Sequence, residues 1–236
     1  NSDPANNPED RAYLDANIDI ENHLEYMALE MFVGNSDIGN TRFYRLKGTD
    51  PETGEPYKWK WILYDMDFGF NNKMRSFTNN VFEFATAEGD QDWPNGPRHT
   101  LLFRRLLENK GFRIAFINRM ATLLRMNFEK LRVRARIENL MDEIEQEIPR
   151  DQERWNHKKS SMDRQLDVIK KFAKDRPELL FEEMKEFFSL GETSEVTLST
   201  NGRGAILVHG LKLDMPTLKV SFFKDVPVTV SAEGVN

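Results

Sequence analysis

The chain has 236 residues, 39% of them apolar, no cysteine and a formal net charge of −6. That is enough apolar material for one sizeable core and a small appendage, while the acidic balance argues against nonspecific nucleic-acid binding, which wants a basic surface. No run of about twenty apolar residues is present to span a membrane, and the lack of cysteine excludes disulfides, thiolate zinc sites and a thiol nucleophile.

Residues 1–10 are polar and rich in Asn and Pro, and with the positions up to 17 they read as a linker. An amphipathic run follows and ends at Met31, Phe32 and Val33. The next segment, residues 34–41 (Gly-Asn-Ser-Asp-Ile-Gly-Asn-Thr), is dense in turn formers. Such a loop brings side-chain oxygens close to backbone donors and also displays oxygens for chemistry. Two readings stand side by side. Either an Asx turn stops the helix at Val33, or Asp37 orients the proton of an attacking hydroxyl while Asn40 helps to hold a metal.

A short strand is expected over residues 41–46, and residues 48–56 read as a turn-rich hairpin insert. Residues 59–64 alternate as a strand that empties into Asp65-Met66-Asp67-Phe68-Gly69. If the alternation continues, Asp65 and Asp67 project to one side and Met66 and Phe68 to the other. Paired carboxylates repel unless a cation lies between them, and Mg²⁺ or Mn²⁺ takes oxygen ligands while keeping positions open for phosphate. The Asp-Phe-Gly ending matches the metal-binding tripeptide of protein kinases, although similar turns also simply terminate strands. Arg42, Arg45, Lys58 and Lys60 flank the carboxylates. They suit phosphate oxygens, and equally they suit a solvent face that discourages edge pairing. Trp59 and Trp61 share a strand face that packs on the helical part or stacks on a base. His23, His99, His157 and His209 lie in no metal-ligand spacing, and no chemistry is assigned to them.

From residue 98 to 190 the apolar spacing is helical throughout, with breaks expected near Pro149 and Pro177. After Gly191 the pattern alternates instead. Four short strands are expected, around 195–200, 204–210, 218–223 and 226–232, forming a small β module.

The helix with the 34–41 loop, the Phe-Tyr-Arg strand, the run Lys58 to Gly69 and the element Arg150-Asp151-Gln152-Glu153-Arg154-Trp155 together resemble the spore coat protein H (CotH) kinase family, over about residues 18–190. The resemblance implies an α+β fold: a mainly helical, protein-kinase-like C-lobe over 18–190 with short strands at the catalytic centre. The linker of 1–17 precedes it and the β module of 191–236 follows. It also implies transfer of phosphate from ATP, with Mg²⁺ or Mn²⁺, to Ser or Thr of secreted or surface proteins, outside a bacterial cell. Position by position, Asp37 corresponds to the catalytic aspartate, and Asn40 and Asp65 or Asp67 to metal ligands. Arg42 and Lys60 are expected as nucleotide contacts from their positive charge beside the carboxylates. The family's N-terminal lobe has no counterpart here, so a C-terminal fragment of a longer protein is expected. The alternative is a surface binding or structural protein that keeps the scaffold without turnover.

Overall fold

The computed structural model describes residues 7–71, 80–88, 96, 98–156, 158–202 and 204–234. The helices are α1 Pro8–Asn17, α2 Ile20–Val33, α3 Val81–Thr86, α4 Leu101–Glu108, α5 Lys110–Arg125, α6 Lys130–Ile144, α7 Ile148–Trp155 and α8 Lys159–Phe187. The strands are β1 Arg42–Tyr44, β2 Lys60–Ile62, β3 Thr193–Ser199, β4 Gly204–Val208, β5 Leu211–Lys212, β6 Thr217–Phe223 and β7 Val230–Gly234. The fold is α+β.

Helix α2 is the centre of the core. Nine of its side chains are buried, because from Tyr26 to Val33 every residue except Glu30 is apolar, on all sides rather than along one stripe. Phe32 stacks on Phe128 at 4.1 Å between ring centroids, and Phe103 meets Phe116 edge-on at 5.1 Å. Helix α5 and the second half of α8 close the core around these rings.

Residues 8–17 are helical, which corrects their reading as linker. The residues that looked like breakers are helix-start signals: Asn7 caps the helix by accepting from the Glu9 N–H, Pro8 occupies the first turn, and Glu9 and Asp10 face the positive end of the dipole. A second correction concerns Pro177, which lies inside an unbroken α8 and is itself buried. An interior proline costs about 3 kcal/mol. Here Phe172, Ala173 and Arg176 before it, and Leu180, Phe181 and Met184 after it, are all buried, so tertiary packing holds the helix through it.

Strands β3 and β6 pair antiparallel, and β4 lies between β5 and β7 in a second sheet. The last strand begins at Val230, later than the alternation suggested. Pro227 has no N–H for a ladder, and its carbonyl accepts from Asn118 Nδ2 of α5 at 2.8 Å instead. The strands share the helices' core rather than building their own: Leu198, Val208, Leu218, Val220 and Phe222 belong to the same buried cluster, and Phe223 stacks on Phe181 at 4.9 Å. Arg119 of α5, almost fully buried, ties the two parts together by donating to Glu21 and Glu25 of α2 and to the His209 carbonyl. Among the described residues no helix is long and apolar enough to cross a membrane.

Candidate functional site

Strands β1 and β2 form a two-stranded ribbon in which Arg42 pairs with Ile62, Phe43 with Trp61 and Tyr44 with Lys60. The insert between them closes as a hairpin, with Thr49 bridged to Pro56 and the Asp50 N–H donating to the Glu55 carbonyl at 2.8 Å. The outer edge of β2 is satisfied by the chain entering α2. Asp19 N–H donates to Trp59 O, Trp59 N–H donates to Asn17 O, and the Asn22 side chain accepts from Trp61 N–H at 2.6 Å while donating to Trp61 O at 3.3 Å. Asn22 thus stands in for a neighbouring strand's peptide group. Trp61 packs on the buried His23 at 4.4 Å, and Phe43 covers both Trp61 and Trp59, so these tryptophans brace the ribbon against α2. Burial lowers the His23 pKa to about 3, which keeps the ring neutral.

The ribbon delivers two loops to the C-terminus of α2. Gly34 ends the helix in the left-handed region at φ 61°, a conformation glycine adopts without steric cost. Each carbonyl of the last turn, which an isolated helix would leave without a partner, is satisfied. Glu30 O accepts from Asn35 N–H at 3.1 Å and Met31 O from Gly34 N–H at 3.2 Å. The buried guanidinium of Arg176 donates to Met31 O at 2.7 Å and Phe32 O at 3.0 Å, and Val33 O accepts from Phe70 N–H at 2.8 Å. The last contact anchors the 65–71 loop to the same turn that launches the 34–40 loop. Gly69 suits this close approach: a Cβ there would lie 3.2 Å from Val33 Cβ and 3.1 Å from Met66 O, so these neighbours would have to give by a few tenths of an ångström.

Asp37, Asn40, Asp65 and Asp67 come together at this point. Asn40 Nδ2 donates to Asp65 Oδ2 at 3.0 Å. Asp37 is 5% exposed, and its Oδ1 is buried with no hydrogen-bond partner among the described residues. Burial raises the Asp37 pKa above the usual carboxylate range, the Asn40 side chain opposes this by hydrogen bonding, the charges of Asp65 and Asp67 add to the rise, and His99 opposes it. The approach of Asp65 and Asp67 is made by a turn and not by strand alternation, which is a correction. Strand β2 ends at Ile62, and Asp65, Phe70 and Asn71 have φ of 51°, 52° and 62°.

The two cations behave differently from the carboxylates. Lys60 pairs with Asp19 at 3.3 Å and lines a cavity of about 550 Å³ with Tyr44, Asp50 and Lys58, whose lining includes none of the four residues above. Arg42 lies over the Tyr64 ring at 4.5 Å and donates to Thr41 O at 3.1 Å. A smaller cavity of about 370 Å³ borders Asp67, between the 66–70 loop and Gln165, Val168 and Ile169 of α8. His99, set aside in the sequence, faces Asp37 electrostatically, and its Nδ1 accepts from Gly96 N–H at 2.9 Å. Its place in a polar, irregular segment carried no periodic signal. His157 lies outside the described residues.

Among the described residues no group of three or more His, Asp or Glu side chains forms a protein-only metal cage. A hard cation that completes its shell with water and phosphate oxygens needs one or two carboxylates, and that donor set is present in Asp65 and Asp67.

The arrangement is an aspartate in a partly desolvated loop, an amide bridging toward a second carboxylate, and a third carboxylate on a turn locked to the same helix end. The family model described as CotH kinase protein matches residues 2–180, and the chain belongs to that family. No curated protein and no solved structure matches it.

Proposed function

We propose that the chain carries the catalytic and metal-binding part of a phosphotransferase that moves phosphate from ATP to Ser or Thr hydroxyls of secreted or surface proteins, outside the cell. The observation that carries this reading is the convergence of Asp37, Asn40, Asp65 and Asp67 from two loops pinned to one helix end. Asp37, with one carboxylate oxygen unengaged and a raised pKa, suits acceptance or orientation of the acceptor hydroxyl's proton. Asp65 and Asp67 would hold Mg²⁺ or Mn²⁺, with Asn40 orienting Asp65. The bound cation would supply charge neutralisation at the phosphates. Arg42, next to the 34–41 loop, would approach phosphate on leaving the Tyr64 ring. Lys60 would first have to leave Asp19.

The test is transfer of label from γ-labelled ATP to a mixture of secreted proteins with Mg²⁺ or Mn²⁺, comparing the protein with Asp37→Asn and Asp67→Asn. Substantial transfer by either variant would sink the assigned roles. A second reading, a binding protein on the same scaffold, is favoured by the engagement of Asn40 with Asp65 and of Lys60 with Asp19. It expects no labelling and a thermal midpoint indifferent to both cations.

A further inference from the structure

We propose that Glu30 is a positioning residue for Asp37, acting through Asn35; its role rests on the phosphotransferase reading, but its geometry does not. Glu30 lies on the last turn of α2, 1% exposed, and its carboxylate is met by the Tyr26 hydroxyl from one turn earlier and by Asn35 Nδ2 at 2.8 Å. Asn35, also buried, accepts the Asp37 N–H on its Oδ1 at 3.0 Å. A hydrogen-bonded chain therefore runs from Tyr26 through Glu30 and Asn35 to the backbone of Asp37.

The chain has a direction. Burial raises the Glu30 pKa, the Tyr26 and Asn35 hydrogen bonds oppose the rise and the Asp37 charge adds to it. Glu30 Oε2 accepts from Asn35, and because a backbone N–H only donates, a single orientation of the Asn35 amide satisfies both neighbours. Without the acceptor at position 30, the amide is free to rotate, and the reversed orientation would turn its NH₂ toward the Asp37 N–H. Packing alone does not call for a carboxylate here. The surrounding positions Met27, Ala28, Met31 and Phe32 are apolar and fully buried, and burying a charge among them is unfavourable unless it is hydrogen-bonded. The tie reaches Asp37 through its backbone, which fixes where the residue sits while leaving Oδ1 unengaged.

The experiment uses two independent readouts on the whole chain carrying Glu30→Leu, Glu30→Gln or Asn35→Ala. The first is hydrogen exchange of the Asp37 amide, compared with core amides of α5; the second is kcat and KM for ATP in the transfer assay. The Glu30→Leu and Asn35→Ala proteins are expected to lose about tenfold or more of Asp37 amide protection while α5 keeps its own. Their kcat is expected to fall by about tenfold or more with KM for ATP within about threefold. Glu30→Gln, which can accept from Asn35 and donate to the Tyr26 oxygen, is expected to restore most of both. Unchanged Asp37 protection in Glu30→Leu and Asn35→Ala overturns the proposal. So does a loss that only tracks global unfolding and is equal in Glu30→Gln. Exchange needs no turnover, so absence of transfer in the parent protein would count against the phosphotransferase reading while the Asp37 amide still decides the role of Glu30.

Discussion

The C-terminal turn of α2 and the arm made by α6, α7 and the first half of α8 spend polar residues in opposite ways. At the turn, Glu30, Asn35, Asp37 and Arg176 are buried, and Arg176 reaches α2 from a helix about 140 positions away in sequence. Along the arm no side chain of α6 or α7 is buried, and most ion pairs are local, as in Arg134 with Glu138, Lys159 with Asp163 and Lys171 with Asp175. Surface pairs of that kind contribute little, whereas a buried polar group left without its partner is strongly unfavourable. The comparison shows where this fold concentrates both its stability risk and its candidate chemistry.

The comparison breaks first at Asp37. Asp37→Asn is expected to lower phosphate transfer by about 10²–10⁴-fold. The same substitution is expected to raise stability by about 1 kcal/mol in urea unfolding, since it removes a buried charge crowded by Asp65 and Asp67. A variant less stable than the parent would show that the loop is not strained by its carboxylate. Next in size, Arg176→Met leaves the carbonyls of Met31 and Phe32 without their donor, and is expected to cost about 3–5 kcal/mol in the same assay.

His23 gives a pH test of smaller size. Its folded pKa of about 3 lies below the ordinary 6.5, so its contribution to stability is fully present above pH 6.5 and is lost as the pH falls toward 3. Between neutrality and pH 5 the loss from this residue is expected to be about 2 kcal/mol. His23→Phe should flatten that part of the stability profile, and an unchanged slope would contradict the neutral, buried ring. At the bottom of the scale, Lys159→Ala in the arm is expected to leave the urea midpoint unchanged. A clear drop there would erase the contrast between the regions.

What the sequence disclosed follows the same division. Helical spacing and alternation are local, so the helices of residues 98–190, the hairpin of 48–56 and the switch to strands after Gly191 were legible. Loop chemistry and the family resemblance also pointed to Asp37, Asn40, Asp65 and Asp67; the structure brings these four together, and their roles belong to the proposed function. Local rules failed at Pro177, where packing overrides a breaker, and at residues 8–17, where Asn and Pro start a helix instead of preventing one. They also placed Asp65 and Asp67 on a pleat that ends three residues earlier, at Ile62. The roles of Glu30, Asn22 and Arg176 are set by partners distant in sequence or by burial, and no periodicity announces them.

The hydrogen bond from Phe70 to Val33, with Gly69 pressed against the Val33 side chain, has a mechanical consequence. Both loops hang from one helix end, so a tilt of α2 carries Asp37 and Asp67 along as a single body. Asp67 also borders Gln165, Val168 and Ile169 of α8 around the smaller cavity, so the arm reaches one of the two carboxylates directly. A tilt of α2 relative to the arm would therefore change the width of that cavity while the two loops keep their common support at the helix end.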